Sequence, residues 1–298
     1  MKKSSITRRD FMRIAAVTPF AGAVTPLFKP AAEMAAPQEK TRVVLIRHRD
    51  AVDEAWNHNP DVVQQMLDEA VAALFGEKDA ASAWKTIVKP TDTVGIKTNS
   101  WKLLPTGPAV EQALKRRVLD AGVPEARISI ADRGVLQNPV FQESTVILNA
   151  RPARTHYWSG MGSCIKNMIM FVPKPSEYHG DTCADLATIW SLPAVKGRVK
   201  LNVLVLLTPL FHGVGPSHYN KEYVWPYRGL LVGRDPVAVD ATGVRVLQAK
   251  RRQFFGEERP LQPPAHHITY AETRHKLGIA DPARIEFVKL GWQDDVLV

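Results

Sequence analysis

The chain has 298 residues, 45% of them hydrophobic and 23% charged, with a mean hydropathy of -0.16 and a formal net charge of +9. Such a composition supplies a core for one large or two small domains and excludes a globally disordered chain. Six bases against two acids in the first 36 residues account for +4 of the charge, and +5 is scattered over the remainder without a basic stripe interleaved with aromatics, so nucleic acid is excluded as a partner.

Cysteine usage narrows the cofactor classes. Cys164 and Cys183 are the only two, too few for an Fe–S cluster held by four thiolates of this chain. No Cys-x-x-Cys or His-x-x-x-His spacing offers a zinc site. Histidines remain as side chains through which a metal could be held, and the cofactor is left unknown. A disulfide between the two thiols needs Cα atoms within about 7 Å, which spacing alone leaves open.

The N-terminus reads as an address. Thr7-Arg8-Arg9-Asp10-Phe11-Met12-Arg13 resembles a twin-arginine export signal, and residues 14–28 carry no charge. That run falls short of the ~20 apolar residues needed to span a bilayer, and Pro19 and Pro26 interrupt it. Small residues at Ala35-Ala36 suit a cleavage site. The expectation is a signal over residues 1–36 read by the twin-arginine translocon, then a single α/β domain over residues 37–298. The mature chain is expected to lack a transmembrane span and to reside in the periplasm or otherwise outside the cytoplasm. Twin-arginine cargo crosses folded, often with a cofactor already loaded.

Residues 42–47 are β-branched and apolar and read as the first buried strand. Asn59-Pro60 opens a helix over residues 61–75, with apolar side chains at helical spacing and Gly76 as its stop. Residues 92–97 form a second strand, 109–121 a helix closed by Gly122, and 127–132 a third strand ending on Asp132. A further strand is expected at 145–149. In the second half, 181–194 reads as a helix, 199–207 as the most apolar strand, and 228–232 as another strand. Asp235 with Pro236 is an N-cap signature for a helix running to Arg252. Residues 253–266 read as a loop, 268–277 as a last helix and 285–290 as a closing strand. The alternation predicts an α/β fold built from βαβ units, with a mostly parallel or mixed sheet and helices on both faces.

In such sheets ligands bind beyond the carboxyl ends of the strands. Lys97-Thr98-Asn99, Asp132 and Arg154-Thr155-His156 all follow predicted strands, and three strand ends therefore offer polar side chains to one edge. Between Thr155 and Asn167 lie His156, Gly160, Gly162, Ser163, Lys166 and Asn167. Backbone amides of a glycine-bearing turn, continued by a helix start and an ammonium, can bind an anion. The spacing does not fit a nucleotide-binding P-loop. His156 titrates near neutrality in its unperturbed state and suits acid–base work or metal ligation. A second glycine-bearing loop holds His212, Gly213 and Gly215, and Asp240 lies in the second turn of the predicted long helix, where it could steer Lys166 or a metal or remain a solvated acid.

With these blocks in place, the chain from about Arg42 to Gly291 resembles the family called the DUF362 domain. The resemblance rests on Ile96-Lys97-Thr98-Asn99, on Thr155-His156 with Lys166-Asn167, on Gly213-Val214-Gly215-Pro216, and on Gly233-Arg234-Asp235-Pro236-Val237-Ala238-Val239-Asp240. Members commonly have Lys-Thr-His where this chain has Arg154-Thr155-His156, which exchanges a point charge for a planar fork. Many also carry a cysteine-rich ferredoxin-like segment, for which two cysteines do not suffice. The candidate catalytic residues are His156, Lys166 and His212. Lys97, Asn99, Arg154, Gly160, Gly162, Ser163, Asn167, Gly213, Gly215 and Asp240 are the candidate ligand-binding set around an unknown anionic small molecule. Exchange of both Arg8 and Arg9 for lysine is expected to strand the precursor in the cytoplasm; cell fractionation showing normal export would remove the export reading.

Overall fold

A computed structural model describes residues 40–213 and 218–298. The twin-arginine motif, the apolar run behind it and Gly215 lie outside the described residues. An eight-stranded mixed sheet forms the centre of the fold, with the order β3-β2-β4-β6-β7-β1-β8 and β5 hydrogen-bonded to β4. The strands are β1 (Thr41–Arg47), β2 (Val94–Lys97), β3 (Ile128–Ala131), β4 (Val146–His156), β5 (Gly160–Gly162), β6 (Val199–Leu210), β7 (Gly229–Gly233) and β8 (Ile285–Gly291). Six of them run in one direction; β7 opposes both its neighbours and β5 opposes β4.

Both faces of the sheet are covered, and the strand sequences show why. In β1, Val43 and Leu45 enter one core while Val44 and Ile46 enter the other. In β6, Leu204 and Leu206 face the first core, and Leu201, Val203, Val205 and Leu207 the second. A strand buried on both sides must be apolar at successive positions, which is how these runs read.

The second core is closed by α1 (Pro60–Phe75), α2 (Ala80–Ile87) and α3 (Pro108–Asp120). Asn59 caps α1 by accepting from the amides of Asp61 and Val62 at 3.2 and 3.3 Å, and Gly76 ends it in the left-handed conformation. The short α4 (Pro139–Glu143) contributes Phe141 to the first core, and α5 (Cys164–Asn167) contributes Cys164 and Ile165. That core is closed mainly by α6 (Pro236–Phe255) and α7 (His266–Thr273). Asp235 caps α6 as expected, accepting from Val237 and Ala238; its other carboxylate oxygen accepts from Ile279 at 2.8 Å and so ties the approach to β8 onto the helix start.

The expected helix over 181–194 is replaced by two 3-10 turns, Asp181–Cys183 and Leu186–Ser191. Asp181, Thr182 and Cys183 hold φ of 43°, 54° and 67°, which an α-helix cannot accommodate. The apolar spacing is nonetheless real, since Leu186, Ile189 and Trp190 enter the core. The long helix runs on to Phe255, and the last helix starts at His266 rather than Ile268.

One glycine is demanded by packing. Gly160 has φ +70°, and a Cβ added there would stand 2.3 Å from the carbonyl oxygen of Pro263 and 2.8 Å from the amide of Ala265. Both the conformation and the backbone approach forbid a side chain. Gly160→Ala should therefore cost more than about 1 kcal/mol, the scale above which an incompatible Gly→Ala change destabilises. Unchanged urea denaturation of that variant would contradict the close approach.

Candidate functional site

The carboxyl ends of β2, β4 and β3, adjacent in the sheet, surround a cleft of about 500 Å³. The chain leaves β2 for β3 on one side and later returns to β4 on the other, the crevice where such sheets bind ligands. Asn99 and Ser100 reach the cleft from beyond β2, Asp132 and Arg133 from beyond β3, and Arg151, Arg154 and His156 from β4. Lys166 and Asn167 of α5 line the cleft as well, together with His179.

Beneath the cleft lies a chain of buried amides. Asn202 donates to the Arg234 carbonyl at 3.0 Å, and Asn149 donates to Asn202 Oδ1 at 2.8 Å. Asn167 donates to Asn149 Oδ1 at 2.8 Å and accepts from Lys97 Nζ at 3.5 Å. Lys97 pairs with Asp132 Oδ1 at 2.9 Å, and the other Asp132 oxygen accepts from the amide and hydroxyl of Ser100. Burial is the largest influence on both partners. It lowers Lys97 to about 8 against the opposing pull of Asp132. For Asp132 burial works upward, and the Lys97 charge with the Ser100 donors overcomes it to hold the carboxyl at about 2.

The remaining cations are differently served. Arg154 donates to Asn99 Oδ1 at 2.8 Å and to the Leu104 carbonyl, and its guanidinium lies 4.3 Å from the Trp101 ring centroid. Arg151 is only 4% exposed, yet among the described residues its Nε has no hydrogen-bond partner. Gly162 makes room for it: a Cβ there would meet Arg151 Nη2 at 3.1 Å. Lys166 is 3% exposed, and its ammonium meets no carboxylate among the described residues, only Cys183 Sγ at 3.4 Å. Burial and the nearby Arg151 and Arg154 charges lower Lys166, against Cys183, to about 8.

Burial, then the charges of Lys166, Arg151 and Arg154, push His156 down to about 2. Its ring is neutral at pH 7. The Trp158 amide donates to Nδ1 at 3.2 Å, which leaves the proton on Nε2. His179 is likewise lowered to about 4 by burial and Lys166, and it stacks on Trp158 with ring centroids 3.8 Å apart.

Several expected site residues serve the wall behind the cleft. The amides of Cys164 and Ile165, expected to meet an anion, donate to Asp240 at 2.9 and 2.8 Å. Asp240 is fully buried, neither a solvated helix acid nor a partner of Lys166, and burial raises it to about 6 despite these donors. Ser163 contacts His267 Nε2 at 3.4 Å and hydrogen-bonds Asp240; Gly160 and Gly162 are buried. His212 and Gly213 line a second cleft with Thr155 and Arg251, apart from His156. There Arg251 meets His212 Nδ1 at 2.9 Å and donates to the carbonyls of Phe211, Arg259 and Pro260.

Arg151 and Cys183 are not among the site residues expected from the sequence, where Cys183 entered only as a thiol. Arg151-Pro-Ala-Arg154 carries a signal: two arginines three residues apart in a segment that continues a buried strand. Both cysteines are free and buried. Among the described residues, no three His, Cys, Asp or Glu side chains gather as a metal ion would need, and no helix is long and apolar enough to cross a membrane.

Residues 133–245 match the family model described as Domain of unknown function (DUF362). The chain carries a DUF362 domain. The match is narrower than the resemblance from Arg42 to Gly291. The DUF362 segment supplies Arg133, Arg151, Arg154, His156, Lys166 and His179 to the cleft, whereas Lys97, Asn99 and Asp132 precede it. No curated protein and no solved structure matches the chain.

Asp132→Asn leaves the Lys97 ammonium buried without its counter-charge, and breaking a buried pair in this way costs about 3–5 kcal/mol. Burial lowers Lys97 and Asp132 pulls it back up to about 8; without that carboxylate Lys97 discharges at lower pH, so the penalty is greatest in acid and is relieved as pH rises toward about 8. Urea denaturation of Asp132→Asn should show a deficit against wild type that narrows as pH rises from about 5, where even a buried lysine is charged, to about 8 and is level above it. A deficit constant with pH would contradict the role given to Lys97.

Proposed function

We propose that the chain is an exported enzyme acting on a small molecule that carries carboxylate or phosphate groups, held in the cleft at the ends of β2, β3 and β4. Arg151 carries the reading. A buried guanidinium without a protein partner is expensive, and an anion in the cleft would supply what it lacks. Five bases line the space, Lys102, Arg133, Arg151, Arg154 and Lys166, against the single acid Asp132. That acid is committed to Lys97 and Ser100. Guanidinium groups suit carboxylate and phosphate because their donors match two oxygens at once.

Catalysis is favoured over simple capture by the perturbed groups among these cations. His156 and His179 are neutral imidazoles at pH 7, and Lys166, lowered to about 8, is still chiefly an ammonium there with a fraction as free amine. Perturbed groups of this kind converging on a cleft characterise reactive sites. Export rests on Arg8-Arg9 with Phe11 and the uncharged run behind them.

The test separates affinity from stability. Malonate and inorganic phosphate, titrated calorimetrically at low ionic strength, are the probes. A hydrogen bond to a charged group contributes about 1.5–3 kcal/mol, so Arg151→Met should weaken binding at least about tenfold. The same variant should be as stable as wild type or more so, because it replaces an unpartnered buried charge by an apolar side chain. Absence of binding by both probes, or a variant that binds as well as wild type, would overturn the anion reading.

A further inference from the structure

The two buried lysines at this cleft have opposite environments. Lys97 is held by a carboxylate, a carbonyl and an amide oxygen. Among the described residues Lys166 has only the thiol of Cys183. Burial raises the Cys183 thiol as well, so it does not act as a counter-ion. Among the described residues no carboxylate therefore holds Lys166 as an ammonium, and burial with the Arg151 and Arg154 charges outweighs the contact with Cys183. Desolvation beside other cations is the arrangement that makes a lysine amine nucleophilic at neutral pH.

The backbone that carries this amine is fixed from several sides. Asp240 accepts the amides of Cys164 and Ile165, Trp190 Nε1 donates to the Ile165 carbonyl at 3.2 Å, and Asn167 is locked to Asn149 and the carbonyls of Lys97 and Ala150. Cys183 is brought against the amine by the three successive residues of positive φ. Such conformations are costly and persist where the surroundings impose them. A reactive group held this firmly on a short helix is preorganised rather than mobile.

We propose that Lys166 is an imine-forming lysine and that the cleft takes a 2-oxo acid, its carboxylate on Arg151 and Arg154 and its carbonyl carbon at Lys166 Nζ. This rests on the anion reading above and names the substrate class. The neutral amine attacks the carbonyl carbon, a C–N bond forms, and the carbonyl oxygen leaves with both amine protons as water. No oxidant or reductant is needed. The imine nitrogen then takes one proton and restores a positive charge where the ammonium stood. His179 lines the same cleft as a neutral base for the transfer from nitrogen to oxygen, and His156 presents its Nε2 proton as a donor to oxygen. The cleft, at about 500 Å³, accommodates a small acid of this class.

Pyruvate with sodium cyanoborohydride, applied to the full chain and followed by digestion and mass spectrometry, tests the proposal. The reduced adduct is expected chiefly on Lys166, with yield rising as pH passes through about 8. It should be competed by malonate, reduced at least about tenfold in Arg151→Met at subsaturating pyruvate, and lost from the peptide in Lys166→Arg, which keeps the cation should Lys166→Met fail to fold. Labelling confined to surface lysines with Lys166 unmodified would overturn it. Malonate calorimetry on the same preparation separates the two failures: malonate binding without an adduct overturns the imine alone, and neither overturns the anion site as well.

Discussion

The fold and the cleft both depend on the buried chain that starts at Lys97. Its donors run one way: Lys97 to Asn167, Asn167 to Asn149, Asn149 to Asn202, Asn202 to the carbonyl of Arg234. Each amide turns its oxygen toward the ammonium and its nitrogen away from it, so every dipole is aligned with the field of the charge and polarises the next. Asp132 closes the other end. The chain ties β2, β4, β6, the residue after β3 and the end of α5 together under the strand termini. Burying these groups is costly unless each is satisfied, and satisfaction admits a single arrangement of five elements.

Against that background the cations above the chain divide into two kinds. Lys97 and Arg154 are served by the protein, the first by Asp132 and the second by Asn99, Leu104 and the Trp101 face. Arg151 and Lys166 are not. Their charges raise the potential of the cleft, and the consequence appears on their neighbours: burial first, and these charges in addition, hold His156 and His179 neutral far below the ordinary imidazole range. An entering anion relieves the repulsion among the bases and meets the unsatisfied donors together. Stability and function oppose one another at Arg151, since the native state carries a cost there that only a ligand removes.

Much of the fold was legible because it is written locally. Asn59-Pro60 and Asp235-Pro236 announce helix starts through side-chain caps, and β1 and β6 announce burial on both faces through unbroken apolar runs. The polar strand ends at Lys97-Thr98-Asn99, Asp132 and Arg154-Thr155-His156 were also readable, and Asn99, Asp132, Arg154 and His156 do converge on one cleft. What escaped depends on contacts between distant residues. The amides of Cys164 and Ile165 look free in sequence because their partner, Asp240, lies some seventy positions away. His212 resembles His156 in its glycine-bearing context, but Arg251 and the Arg259–Pro260 carbonyls enclose it in a different cleft. Residues 181–194 keep a helical apolar period while three left-handed residues at their start prevent the helix, and nothing local announces that conformation.

The position of Arg151 relative to Arg154 turns on one register irregularity. Strict alternation along β4 would put residues three apart on opposite faces of the sheet. Asn149 joins the amide chain and Arg151 the cleft above it, as residues two apart should. Between Pro152 and Arg154 the pairing of β4 with β6 shifts, and beyond the shift Arg154 and His156 line the same cleft while Thr155 faces the second one, against Gly213. Unshifted, the strand would send Arg154 and His156 to the other face, and Arg151 would stand alone. Bulges re-aim side chains next to functional sites in this manner. Pro152 has no amide hydrogen to give to a ladder, which is the local reason the pairing yields there. A strand that begins as an ordinary member of the sheet thus ends by gathering two guanidiniums and an imidazole into the cleft that Lys166 also lines.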